Sequence, residues 1–254
     1  NVSALCTTDD PADSLEWHKK SREDGVEIKV LPSFRPEKAI GIDKLDYLDY
    51  LDRLSNVSGV EIKDVESLLE ALKKRLEFFI ENGCRVSDHS LEATFYVKTN
   101  KVEVEELFKE RLEGKTLSEE EEGKFKGFVL TKLGQMYAKK NIVMQLHIGA
   151  IRNNSMRFFN YIGPDTGFDA LNDFNYAPQL ASLLSDMDLT DQLPKTILYC
   201  LNPKDTEMLA AMAGTFCSNE HGIKGKVQLG AAWWFCDHKN GIERQIEAMS
   251  DSGL

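Results

Sequence analysis

The sequence predicts an α/β protein whose parallel strands belong to a (β/α)8 TIM-type barrel. Short apolar and β-branched runs alternate with longer segments of helical period, which is typical of βα units. Polar residues follow nearly every strand-like run, whereas an open sheet would concentrate them at one switch point. No glycine-rich phosphate loop follows any run. Six runs are present where a barrel needs eight, so we expect an incomplete barrel.

The strand-like runs are bounded by turn residues and are each four to seven residues long. They lie at residues 2–6, 26–31, 84–87, 142–148, 196–201 and 227–231.

Two helices are predicted most clearly from period and end signals. Apolar residues recur at three- and four-residue steps over 64–82, and Gly83 follows as a natural helix stop. Ser118 with Glu121 three residues later forms a capping-box pattern that starts a second helix. We expect the charged stretch around 98–140 to be a helical excursion from one partial barrel domain covering residues 1–254.

Composition limits the classes of function. The chain has 254 residues with 31 basic and 42 acidic side chains, which gives a formal charge of −11 and argues against nucleic-acid binding. Its apolar runs are too short for a membrane span. The five cysteines are widely spaced without a CxxC pair, so a reducing cytoplasm is expected. No secretory leader opens the sequence, and both ends look cut.

The first polar group is the segment TTDDP at residues 7–11. Its oxygens could face a polar substrate. Alternatively, Asp10 could cap a helix that starts with Pro11 at its first position. The residue types leave both interpretations open.

The second and third groups follow the next two strands. Arg35 lies between Pro32 and Pro36, and a stiff loop suits a guanidinium that must grip a carboxylate in one geometry. The same arginine could instead pair with a neighbouring acid. Asp88 and His89 are adjacent, so we expect them to point to opposite faces, one entering the site while the other braces the scaffold.

The remaining groups follow the last three strands. His147 ends an apolar strand and Arg152 follows five residues later, which favours a functional pair over a core histidine. Trp233 opens a run of three aromatic residues that could form the apolar face for a sugar ring, or could be core. Asn202 could supply an amide, although a turn is its simpler role.

No metal-binding motif is visible in the chain. Its five histidines lack HxH or HExxH spacing, and no GxSxG nucleophile elbow is present. We therefore expect no metal ligands among these residues.

Taken in order, six motifs resemble the uronate isomerase (glucuronate isomerase) family over the whole chain. They are CTTDDPADSL (6–15), VLPSFRP (30–36), GCRVSDH (83–89), QLHIGAIRNN (145–154), LPKTILYCLNP (193–203) and WWF (233–235).

The resemblance implies a (β/α)8 barrel of the amidohydrolase superfamily that interconverts glucuronate with fructuronate and galacturonate with tagaturonate. In that family an HxH pair on the first strand and an aspartate on the last hold one divalent metal, for which zinc is expected. Neither motif occurs here. The chain therefore resembles a central fragment carrying the second to seventh strands, and we expect it to be inactive alone.

The resemblance also implies roles for individual residues. Asp88 and His147 match catalytic positions, whereas Arg35, Arg152 and Trp233 match substrate-binding positions. The expected partner is a small uronic acid, with no nucleic acid and no membrane, and a homo-oligomer stays open. Two alternatives remain: a metal-dependent hydrolase on the same barrel, and a non-catalytic fragment that acts as a binding module.

Overall fold

The computed structural model describes residues 1–92, 94–216, 225–230 and 233–251. The chain folds into two compact units. The first unit contains Asn1–His89, Thr94–Met144 and Ser182–Lys195. The second unit contains Ser90–Ala93, Gln145–Ala181 and Thr196–Leu254. The assignment of the whole chain to one domain stays a prediction.

Strands and helices alternate through most of the described chain. The strands are β1 (Ala4–Asp9), β2 (Lys29–Phe34), β3 (His89–Leu91), β4 (Met144–Ile148), β5 (Ala150–Ile151), β6 (Ala170–Leu171), β7 (Thr196–Cys200) and β8 (Val227–Leu229). The helices are α1 (Glu16–Glu23), α2 (Glu37–Ile40), α3 (Tyr47–Ser58), α4 (Val65–Glu81), α5 (Lys101–Leu112), α6 (Glu119–Lys140), α7 (Met156–Ile162), α8 (Ala177–Asp188), α9 (Thr206–Gly214) and α10 (Lys239–Asp251).

Parallel pairing organises the first unit. β1 and β2 run parallel over their full lengths, and Asp9 lies opposite Phe34 at their carboxyl ends. Phe34 continues this order through a parallel bridge to Ser87. The carboxyl ends of successive strands therefore meet at one edge, which is where parallel α/β folds place their sites.

Aromatic side chains form much of the core beneath that edge. The rings of Phe34 and Phe79 meet edge to face with centroids 5.2 Å apart. Phe108 and Phe125 are stacked with centroids 5.6 Å apart. All four rings are fully buried, and burial of such side chains stabilises a fold by roughly 1.5 to 3 kcal/mol each. The contact of Phe34 with Phe79 packs the carboxyl end of β2 against α4.

Both helices that the sequence predicted most clearly are confirmed. α4 begins after Asp64, whose side chain accepts a hydrogen bond from the Ser67 amide, and Gly83 beyond its end has a φ of +101°. α6 begins after the capping box of Ser118 and Glu121. The charged stretch that was expected to be helical forms α5 and α6.

A four-stranded sheet has the strand order β3-β4-β7-β8, and most of its residues belong to the second unit. β7 and β8 are parallel, with Thr196 opposite Val227. Side chains of β4 alternate, so Met144, Leu146 and Ile148 are buried while the residues between them are half-buried. This alternation turns His147 towards the other face of the sheet.

The predicted start of the chain is wrong in two respects. β1 extends to Asp9 instead of ending at residue 6, and α1 begins at Glu16 instead of at Pro11. Asp10 accepts a hydrogen bond from the Ala12 amide, and its own amide donates to Asp13. These bonds form a turn, and Asp10 does not cap a helix.

Other predicted strands differ as well. β2 spans Lys29–Phe34 instead of 26–31, so Pro32 lies in the strand and not in a loop. In the region 84–87 only Val86 and Ser87 form bridges, and a separate short strand begins at His89. The antiparallel pair of β5 and β6 was not predicted. The last strand ends at Leu229, and residue 231 of the predicted run lies outside the described residues. Within the described chain, no helix combines the length and apolar character needed to cross a bilayer.

Candidate functional site

Arg35 and Asp88 are brought together in the first unit. Arg35 follows β2 directly, and its Nη1 donates to Asp88 Oδ2 at 2.9 Å. The Asp88 amide also donates to the Phe34 carbonyl, so the backbone fixes this neighbour. Asp88 is buried and Arg35 is half-buried. Charged hydrogen bonds in such partly desolvated settings are worth about 1.5 to 3 kcal/mol.

A second acid and a hydroxyl complete this group, which we call the Arg35 cluster: Thr8, Arg35, Glu37 and Asp88. Glu37 Oε2 lies 3.0 Å from Arg35 Nε. The Thr8 hydroxyl donates to Asp88 Oδ2 at 3.4 Å. Arg35 therefore pairs with neighbouring acids, which is the second of the two roles that the sequence suggested for it. The pairing orients the guanidinium and leaves the substrate-binding interpretation open.

Asp88 and His89 have different partners, as expected for adjacent residues. Asp88 contacts Arg35, whereas the fully buried His89 lies with its Nε2 at 3.2 Å from the Tyr137 hydroxyl. His89 Nδ1 lies 3.3 Å from Glu37 Oε1. Asp88 thus belongs to the Arg35 cluster, while His89 extends inward beneath it.

The residues of segment 7–11 take part in three different sets of contacts. Thr7 donates to Asp9 at 2.6 Å and lies 2.7 Å from His18 Nε2, so these three side chains bond to one another. Thr8 joins the Arg35 cluster. Asp10 holds the turn after β1 and accepts from the Tyr50 hydroxyl.

In the second unit, three rings meet around His147; we call His147, Tyr199 and Trp233 the aromatic cluster. The imidazole of His147 lies parallel to the Tyr199 ring, with centroids 4.4 Å apart and planes 6° apart. The Trp233 indole meets the imidazole edge to face at 4.7 Å. The Tyr199 hydroxyl donates to Gln145 at 3.1 Å. The cluster holds an imidazole against two aromatic rings, which suits contact with a sugar ring.

Arg152 lies in the same unit within a set of acids. Its Nε donates to Glu92 at 2.5 Å, and its Nη1 lies 3.4 Å from the buried Asp169. Burial disfavours its charge, but the Glu92 hydrogen bond and the surrounding carboxylates outweigh burial and raise the pKa of Arg152. Its guanidinium also lies 5.9 Å from the Trp234 ring, which contacts Trp233. Arg152 therefore stays cationic beside the aromatic cluster.

The sequence-predicted residues fall into two groups, one in each compact unit. Arg35 and Asp88 share the first, and His147, Arg152 and Trp233 share the second. Asn202 caps a short 3-10 turn through Lys204 and belongs to neither group, which is the turn role expected for it.

Sequence reasoning missed the side chains that orient these groups. They are Glu37, Glu92, Gln145, Asp169 and Tyr199. One signal was available in the sequence. Gln145 and His147 are two residues apart on β4, as are Ile197 and Tyr199 on β7, so the side chains of each pair lie on the same face of their strand.

The described residues do not provide a metal centre. Nowhere in residues 1–92, 94–216, 225–230 and 233–251 do three His, Cys, Asp or Glu side chains form a group that could hold a metal ion. The two groups instead offer arginine, carboxylate and imidazole side chains.

Comparison with known protein families shows to which family the chain belongs. The family model described as glucuronate isomerase matches residues 1–254, the whole chain. The chain belongs to the glucuronate isomerase family. A uronate isomerase of Clostridium perfringens is 49% identical over 255 residues, which covers 100% of this chain and 54% of that protein. A uronate isomerase of Caldanaerobacter subterraneus is 47% identical with the same coverage.

Solved structures of the glucuronate isomerase family agree with the fold. The uronate isomerase of Thermotoga maritima superposes with a TM-score of 0.88 at 30% identity, covering 99% of this chain and 53% of that chain. The glucuronate isomerase of Caulobacter crescentus gives 0.86 at 29% identity, with 99% and 51% covered. The predicted class, an incomplete (β/α)8 barrel of the amidohydrolase superfamily, is confirmed.

The extent of the match limits what it shows. The chain spans about half the length of the family members it matches. The glucuronate isomerase family is related to metal-dependent amidohydrolases. The activity and the metal of the intact protein are therefore matters for proposal.

Proposed function

We propose that the intact protein is a uronate isomerase that interconverts D-glucuronate with D-fructuronate and D-galacturonate with D-tagaturonate. One observation carries the proposal: the glucuronate isomerase family model matches the whole chain, including the strand-end residues of both groups. In this proposal the chain supplies most of the surface that binds the sugar acid.

The proposed reaction moves one proton between adjacent carbons. A base removes the proton from C2 of the open-chain aldose, giving an enediol, and a proton is then delivered to C1 to give the ketose. No net oxidation of the substrate occurs. The chemistry needs a proton-transfer group, hydrogen-bonding groups on the two oxygens, and cations for the carboxylate.

We assign the proton-transfer and hydroxyl-orienting roles to Asp88 and His147. Positioned acids and bases typically contribute about a hundredfold to ten-thousandfold to a rate. His147 supports this role because rings on two sides fix its plane. Asp88 supports it because Arg35 and Thr8 both bind one oxygen of its carboxylate.

The carboxylate-binding roles go to Arg35 and Arg152, and the ring-binding role to Trp233. Each arginine already contacts acids of the protein, so a uronate must meet a guanidinium that is oriented but partly neutralised. That arrangement favours specific geometry over simple charge attraction. Trp233 offers an apolar surface beside His147.

Residues outside this chain would hold one divalent metal, for which we expect zinc. The intact enzyme is further proposed to be one barrel domain and cytoplasmic. Free thiols at Cys6, Cys84, Cys200 and Cys236 agree with a reducing compartment.

The test uses the intact protein with D-glucuronate in D2O, followed by NMR. We expect fructuronate carrying solvent deuterium at C1, because the enediol exchanges its proton with water. A metal-dependent hydrolase or a non-catalytic binding protein would form no ketose. Absence of ketose with metal-loaded protein would overturn the proposal.

A further inference from the structure

Glu37 lies between the predicted site arginine and a buried imidazole. Its Oε2 lies 3.0 Å from Arg35 Nε, and its Oε1 lies 3.3 Å from His89 Nδ1. Each carboxylate oxygen therefore faces a different nitrogen. Glu37 is the first residue of α2, two positions after Arg35, so local chain geometry delivers it to this place.

His89 is held in turn from its other side. Its Nε2 lies 3.2 Å from the hydroxyl of Tyr137, and both side chains are fully buried. Burial raises the pKa of Tyr137 well above its ordinary value, so the phenol keeps its proton and can donate it to Nε2. A Tyr137 hydroxyl that donates to Nε2 leaves the imidazole proton on Nδ1, which faces Glu37 Oε1 at 3.3 Å.

Arg35 is consequently fixed along two edges. Asp88 accepts from Nη1 at 2.9 Å, and Glu37 holds the Nε edge. In the described part of the chain, these are the only carboxylates within 4 Å of the guanidinium. Arg35 thus contacts Glu37, Glu37 contacts His89, and His89 contacts Tyr137.

We propose that Glu37, supported by His89 and Tyr137, is a positioning residue that holds Arg35 in the orientation that binds the uronate carboxylate. This inference rests on the proposed function. Glu37 acts through Arg35, so its loss should affect substrate binding more than the chemical step.

Glu37→Gln in the intact protein tests the role, because it keeps the shape and removes the charge. We expect KM for glucuronate to rise about tenfold while kcat changes less than about threefold. Glu77→Gln is the matched control, since Glu77 forms an exposed ion pair with Lys140 at 2.8 Å. If Glu37 only neutralised Arg35, KM would fall. A lowered or unchanged KM would overturn the proposal.

A second pair of variants tests the support beneath Glu37. The amide nitrogen of Asn can replace Nδ1 of His89, whereas that of Gln replaces Nε2. We therefore expect His89→Asn to keep KM closer to the wild-type value than His89→Gln does. Equal KM values in the two variants would contradict the relay.

A crystal structure of intact Glu37→Gln separates this inference from the proposed function. If the wild-type protein isomerises no uronate, the proposed function fails. The position of the Arg35 guanidinium in the variant, compared with the wild type, then tests the role of Glu37 by itself. A displaced guanidinium supports positioning by Glu37. An unmoved guanidinium overturns it.

Discussion

The imidazole of His147 lies flat against the ring of Tyr199, with centroids 4.4 Å apart and planes only 6° apart. His147 is on β4 and Tyr199 is on β7, and these strands are neighbours in the sheet. Side chains of two neighbouring strands thus stack, and the stack orients the imidazole proposed to transfer a proton.

Replacing Tyr199 separates stacking from hydrogen bonding. Tyr199→Phe keeps the ring and removes the hydroxyl that donates to Gln145, so we expect turnover of glucuronate within about threefold of wild type. Tyr199→Leu removes the stack and should lower kcat at least about tenfold. Steady-state kinetics of the intact protein checks both values. Equal effects of the two substitutions would argue against a stacking role.

Gly230 leaves room for the Tyr199 ring. A Cβ atom at this position would lie 2.3 Å from Tyr199 Cε1, closer than packing permits. We expect Gly230→Ala to reduce the free energy of unfolding by about 1 to 3 kcal/mol. Denaturant titration measures the loss. In a Tyr199→Ala background the same substitution should be nearly neutral, and an undiminished cost there would locate the strain elsewhere.

Arg75 ties α4 to the turn that follows β1. Its Nε donates to the Pro11 carbonyl at 2.6 Å, and its Nη2 donates to the Asp13 carbonyl at 2.7 Å. The side chain is buried, so Arg75→Met should cost about 2 to 4 kcal/mol by leaving buried carbonyls unpaired. Urea unfolding tests this value against Lys73→Met on the exposed side of the helix. Similar losses in both variants would refute the assignment.

The lowered pKa of Asp43 predicts that the stability of the folded protein depends on pH. Partial burial opposes its charge, but hydrogen bonds from Lys44 and Lys126 outweigh burial and lower its pKa to about 2 from 3.8. The folded state therefore binds the proton less readily than the unfolded state. The stabilisation is complete above pH 3.8 and disappears as pH falls towards 2.

The Asp43 prediction is tested by thermal unfolding between pH 5 and pH 2. Asp43→Asn should lose less stability than wild type over this interval, because it has no carboxylate to protonate. The exposed Asp52→Asn variant is the control and should follow the wild-type curve. Parallel curves for Asp43→Asn and wild type would remove Asp43 as the cause.

Sequence reasoning anticipated the features that depend on local pattern. The period and caps of α4 and α6 were sufficient for their assignment, and the apolar run of β4 placed His147 on a strand. The end of β1 was missed because Asp9 was interpreted as a loop acid, although β2 pairs with it through Phe34.

Strand alternation places Gln145 on the same face as His147, but the contacts that orient the site residues are made across the fold and could not be predicted. Glu92 lies 60 residues from Arg152, and Tyr199 lies 54 residues from Gln145. Tertiary contacts of this kind leave no periodic trace in one sequence. The resemblance supplied the candidate positions, and the structure added their neighbours.

The central claim is that this chain binds the sugar acid of a uronate isomerase, and Arg35→Ala in the intact protein tests it most directly. We predict that kcat/KM for glucuronate falls about 10- to 150-fold, which corresponds to one charged hydrogen bond of about 1.5 to 3 kcal/mol. Arg53→Ala, which removes an exposed pair with Asp13, should leave kcat/KM within about twofold of wild type. Equal kcat/KM values for Arg35→Ala, Arg53→Ala and wild type would contradict the claim.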